Sequence, residues 1–104
     1  SSAIRDRVVL ARNIQKERFR EVPGIYCNAQ MNSRMLRTWC GISESGNQLL
    51  KTAMERLSLS ARAYDRILKV ARTIADLEGN EQVELVHLSE AIQLRSLDRE
   101  NWAG

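Results

Sequence analysis

Ser60 and Arg62 are the residues of this chain whose types and spacing point most directly to chemistry. A serine that caps a helix accepts a backbone N–H at the helix start, which places Arg62 in the first turn, beside the positive end of the helix dipole. A cation there costs roughly 0.3 to 1 kcal/mol when exposed. An anion held between the unpaired N–H groups and the guanidinium reverses that sign, because helix N-termini bind phosphate and arginine adds a planar two-pronged donor. The chemistry implied is phosphate binding, with Arg62 as the contact.

The element that must position Arg62 is a helix over residues 60–77. At 100° per residue its apolar half carries Ile67, Leu68, Ala71, Ile74 and Ala75, and its polar half carries Arg62, Asp65, Arg66, Lys69, Arg72, Thr73 and Asp76. Asp65 lies within reach of Arg62 or Lys69. Mixed charge on a solvated face accounts for Arg66, Lys69 and Arg72 without any ligand, although Lys69 and Arg72 would meet phosphates if the helix lay against nucleic acid.

Other reactive groups form no constellation. Cys27 and Cys40 have no metal-ligand spacing, and with the single histidine, His87, they make no zinc set. No spacing supports a Cys27–His87 nucleophile pair, and His87 is expected at a helix start or on the surface. A Gly-x-x-x-x-Gly-Lys-Ser/Thr phosphate loop is absent, as is an acidic strand end that would hold magnesium, so the chain alone is not expected to be an enzyme.

With 104 residues the chain is sized for one domain, spanning 1–104. A net charge of +3 comes from sixteen basic residues, thirteen of them arginine, which suits planar pairing with phosphate or carboxylate without proving it. No window is apolar enough to span a membrane, no signal peptide is visible, and two free thiols fit a cytoplasmic location. The start at Ser1-Ser2-Ala3 suggests a piece of a longer protein.

The pattern predicts an all-α bundle of four or five helices. A first helix runs from about Ala3 to Arg20, with Ile4, Val8, Ala11 and Phe19 as its apolar stripe, widened by Leu10 and Ile14. Its cations Arg5, Arg12, Lys16 and Arg20 share another face, read as a solvated flank because nothing aromatic interleaves them. Val22-Pro23-Gly24 breaks the chain, and residues 25–30 lack a helical period and read as extended. Asn32 or Ser33 starts a short helix burying Met35, Leu36 and Trp39, Ser43 caps the next, and Ser58-Leu59 joins that one tightly to the Ser60 helix. Gly79 and Asn80 end the latter, a last helix carries Leu85, Leu88, Ala91, Ile92 and Leu94, and 100–104 reads as a loose tail.

The string Leu57-Ser-Leu-Ser-Ala-Arg-Ala-Tyr-Asp-Arg-Ile-Leu-Lys-Val-Ala-Arg-Thr-Ile-Ala-Asp-Leu77, with His87-Leu-Ser-Glu-Ala-Ile92 and Arg95-Ser-Leu-Asp-Arg99, closely resembles the C-terminal helical domain of magnesium-chelatase-like AAA+ ATPases of the ComM or YifB type. Arg7-Val-Val-Leu-Ala-Arg12, Phe19 and Cys27-Asn-Ala-Gln-Met31 extend the resemblance over almost the whole chain. It implies an AAA+ lid fold following an ATPase core of the same protein, with Arg62 matching the sensor 2 arginine and Arg66 a weaker, supporting phosphate contact, in cis or toward a neighbouring subunit of a homo-oligomeric, hexameric ring. ATP and Mg2+ are then cofactors of the full-length protein and not of this chain, and DNA processing in competence is the implied activity. Beside this reading stand two others. One is a helix-turn-helix around Ser58-Leu59 with Arg66, Lys69 and Arg72 on DNA phosphates; the other is a packing domain whose charges only confer solubility.

Overall fold

The computed structural model describes the backbone of residues 2–103 and the side chains of residues 2–94. Among the described residues there are five α-helices, α1 (Ser2–Arg18), α2 (Ser33–Trp39), α3 (Glu44–Leu57), α4 (Ala61–Leu77) and α5 (Leu85–Ala103), and one 3₁₀ turn at Asn28–Gln30. There is no strand among the described residues, so the chain is all-α. No described helix is long and apolar enough to cross a membrane.

Three side chains start helices as their types require. Asn32 accepts the N–H of Met35, Ser43 that of Gly46, and Ser60 that of Ala63. Past α4, Gly79 takes φ +73°, and the Asn80 N–H returns to the Ala75 carbonyl at 2.9 Å, closing orphan carbonyls of the last turn. The α3–α4 joint uses Ser58 in the left-handed region at φ 52°, with Leu59 N–H donating to the Met54 carbonyl at 3.0 Å.

α4 is the axis of the bundle. Its Ile67, Leu68, Ala71 and Ala75 pack against Leu50 of α3 and Leu88 and Ala91 of α5, joined by Phe19, Met31 and Leu36 from the N-terminal half. Gly46 lets α3 and α5 approach closely, since a Cβ there would lie 2.8 Å from the Leu88 Cδ1.

Three expectations change. The apolar stripe of α1 is not buried as a whole: Ala11 and Phe19 are, but Ile4, Val8 and Leu10 are exposed. α1 crosses the C-terminal end of α4, where Arg7 Nε donates to the Leu77 carbonyl at 3.3 Å. The segment read as extended contains the 3₁₀ turn, whose Asn28 is buried against α4. The backbone of α5 continues through most of the segment read as a tail, because no proline or glycine interrupts the chain before Gly104. The side chains of that stretch, and of Arg95 and Arg99 named above, lie outside the described residues.

Candidate functional site

The start of α4 is built as its sequence directs. Ser60 has extended backbone (φ −83°, ψ 170°), and its Oγ accepts the Ala63 N–H at 3.3 Å, while its carbonyl accepts the Tyr64 N–H. No acidic residue occupies the first turn. Arg62 is exposed there, and its guanidinium makes no hydrogen bond or ion pair among the described residues. Asp65, expected within its reach, instead accepts a hydrogen bond from the Ser33 hydroxyl of α2 at 3.2 Å. Neither the helix dipole nor an ion pair among the described residues compensates the Arg62 charge.

The remaining sequence-selected cations divide. Arg66 is exposed one turn beyond Arg62, at the rim of a groove between α4 and α5. Lys69 is half-buried and donates to the Ala29 carbonyl at 3.2 Å.

Arg72 is a correction: it is 3% exposed and is not presented to any nucleic acid. Its Nη1 and Nη2 donate to the Glu81 and Asn80 carbonyls at 2.8 and 2.6 Å, with a weaker contact to Trp39, and its Nε donates to Asp76 Oδ1 at 3.2 Å. The polar half of α4 is a second packing face, because α1 and the 3₁₀ turn lie across it. A helix-turn-helix presenting Arg66, Lys69 and Arg72 together does not exist in this fold.

The centre of that second face is a network the sequence did not expose. Asp76, with no exposed surface, takes two 2.8 Å bonds from Arg18 of α1, one to each carboxylate oxygen, together with the Arg72 contact and a 2.9 Å bond from Asn28 Nδ2. Arg18 also donates to Asn28 Oδ1 at 2.8 Å and lies 5.6 Å from the Trp39 ring centroid. Two buried guanidiniums share one buried carboxylate, Arg18 across both oxygens and Arg72 on Oδ1 alone, and these charge-assisted bonds offset the cost of removing all three groups from water. The available signal was the i,i+4 pair Arg72–Asp76; nothing in the sequence linked Arg18 to it.

His87 is likewise buried rather than superficial, though it does serve a helix start. Its Nδ1 accepts the Glu84 N–H at 2.9 Å, so the proton sits on Nε2, which donates to Glu78 Oε2 at 2.6 Å. Cys27, exposed, and Cys40, buried, are both free. Among the described residues no group of three or more His, Cys, Asp or Glu could hold a metal ion.

Residues 1–95 match the family described as magnesium chelatase, subunit ChlI C-terminal. Over 99 residues, 95% of this chain, the sequence is 40% identical to the competence protein ComM of Haemophilus influenzae, of which the match covers 18%. It is 35% identical over the same length to the protein YifB of Escherichia coli and of Salmonella typhimurium, covering 19% of each. The chain thus spans about a fifth of the length of these curated relatives. With the family matched over residues 1–95, which include the free Arg62 and the buried Asp76 network, the chain belongs to the magnesium-chelatase ChlI C-terminal family, in the branch of ComM and YifB.

Proposed function

We propose that this chain is the lid domain of an AAA+ ATPase, and that Arg62 is its sensor 2 arginine, contacting the terminal phosphates of ATP bound by the core of the same protein or of a neighbouring subunit in a ring. The observation that carries the reading is the uncompensated guanidinium of Arg62 in the capped first turn of α4. The residues fit a phosphate there: the guanidinium is a two-pronged donor, and the first-turn dipole favours an anion. They do not supply magnesium ligands, so the ion belongs with the core. Arg66 is placed to add a second, weaker contact.

The arrangement can stabilise negative charge and report it. α4 runs from Arg62 to Asp76, about 21 Å at 1.5 Å per residue, and Asp76 is clamped to α1 through Arg18. A pull on Arg62 therefore tilts α4 together with α1 as one packed body, which is how a lid would couple nucleotide state to subunit packing. Similarity to a protein named competence protein ComM supports competence as the setting of the whole protein, with DNA processing as the activity proposed for it.

The test is Arg62→Ala in the full-length protein. Loss of a charged contact to phosphate is expected to lower ATP turnover roughly ten- to hundredfold, with oligomeric state and folding unchanged. Wild-type turnover in the variant would refute the assignment.

A further inference from the structure

The cations of α1 acquire in the fold what the sequence denied them. Arg5, Arg12 and Lys16 are exposed on one face of the helix, Arg12 and Lys16 being about 6 Å apart along the axis, and Arg20 follows just past the helix end. Pro23 and Gly24, the latter at φ +82°, turn the chain so that Ile25, Tyr26 and Cys27 come back alongside them. Between helix and strap lies a cleft of about 730 Å³, lined by Arg12, Lys16 and Arg20 together with Tyr26 and Cys27, over an apolar floor that includes Phe19 and Ile25. No carboxylate lines it. Arg12 and Lys16 form no ion pair among the described residues, and the Arg20–Glu17 pair at 3.2 Å is solvent-exposed and weak.

Tyr26 is the second half of the observation. Its side chain belongs to the most exposed aromatic residue of the described chain, at 77%, yet its backbone is pinned: the Tyr26 N–H donates to Gln30 Oε1 at 2.6 Å, and the Cys27 N–H donates to the same oxygen. A free aromatic ring on a held strap, facing a row of exposed cations across an apolar floor, is a stacking platform beside a phosphate track.

We propose that this cleft binds a single-stranded nucleic acid, with backbone phosphates on Arg12, Lys16 and Arg20 and a base stacked on Tyr26. An acidic protein segment would use the cations but would leave the ring and the apolar floor without a role. A duplex would keep its bases stacked on one another and could not use Tyr26 either. The site does not rest on the Arg62 assignment, since α1 meets α4 near Asp76, about 21 Å along the helix from Arg62.

The experiment is fluorescence anisotropy of a labelled short oligothymidylate with the 104-residue chain over a salt series, the fold of each variant being checked by circular dichroism. Binding at low salt that weakens as salt rises is expected. Arg12→Ala with Lys16→Ala should reduce the slope of log affinity on log salt by about 1.4, or 0.7 per phosphate contact. Tyr26→Ala should weaken binding roughly tenfold, Tyr26→Phe should restore it, and Arg56→Ala, at an exposed cation of α3 outside the cleft, should change nothing. Cys27, on the cleft wall, should be shielded from alkylation by the oligonucleotide. The proposal is overturned by any of four results: no binding at low salt, an unchanged slope in the double variant, indifference to Tyr26→Ala, or competition by polyglutamate or duplex as effective as by the single strand.

Discussion

At the scale of single residues, the most consequential is Asp76, whose carboxylate holds two buried guanidiniums. Asp76→Asn keeps the shape but leaves both Arg18 and Arg72 without a counter-charge in a dry site, so denaturant unfolding should show a loss of about 3 to 5 kcal/mol. Removing one partner of a buried ion pair costs far more than the pair contributes over an apolar substitute, and the same logic explains why neither arginine is free for a ligand.

Cys40 supplies a pH prediction from the same region. Burial pushes its thiol from 9.0 up to about 11, against the opposing pull of Arg72 and then Arg18. The folded state therefore holds this proton more tightly than the unfolded chain does. The sign follows: this contribution to stability is complete below pH 9 and is lost progressively as pH rises through about 11. In alkylation at pH 8, Cys27 should react readily while Cys40 stays protected until the chain unfolds.

At the scale of elements, two helix ends and one helix crossing set the positions of α3, α4 and α5. Ser58 holds a left-handed conformation that a non-glycine residue adopts at a cost, and its position ends α3 and aims the cap of α4. Ser58→Gly should raise stability by about 0.5 to 1 kcal/mol, the relieved strain exceeding the entropy of the added glycine. Gly79→Ala should do the reverse by about 1 to 2 kcal/mol, because φ is +73° while the added Cβ would meet only an ordinary 3.6 Å contact with Leu10. Gly46→Ala fails for a different reason: its Cβ would collide with Leu88, which is fully buried and has nowhere to turn, so a loss of about 1 to 3 kcal/mol is expected. Thermal melts of the three variants separate backbone strain from packing.

At the scale of the whole molecule, Arg62 is where stability and the proposed function oppose each other. In the chain alone an exposed cation in the first turn of α4 is unfavourable, so Arg62→Ala should leave stability unchanged or raise it by up to about 1 kcal/mol, measured by denaturant unfolding. In the full-length protein the same substitution is expected to lower ATP turnover. A residue that serves only solubility would show the same effect on stability without the loss of turnover.

The sequence by itself determined the helical class, the caps at Ser43 and Ser60, the start of α2 to within Asn32 or Ser33, the glycine stop after α4 and the apolar half of that helix. Each of these is local: a side chain meets a backbone group three residues away, or a stripe repeats every 3.6 residues. Arg62 was legible for the same reason, since its oddity is its place in its own helix. Only the tertiary structure decided which side of α4's polar half was solvent. Arg72 and Asp76 carry the same types of charge as Arg62 and Asp65, yet α1 and Asn28 cover them because Arg18 arrives from 58 positions away in sequence. Tyr26 beside Arg12 and Lys16 depends likewise on the turn at Gly24, and the exposure of Ile4 and Val8 on where α1 crosses the end of α4. Periodicity places a residue on a face of its own helix; the packing of other elements decides what that face meets.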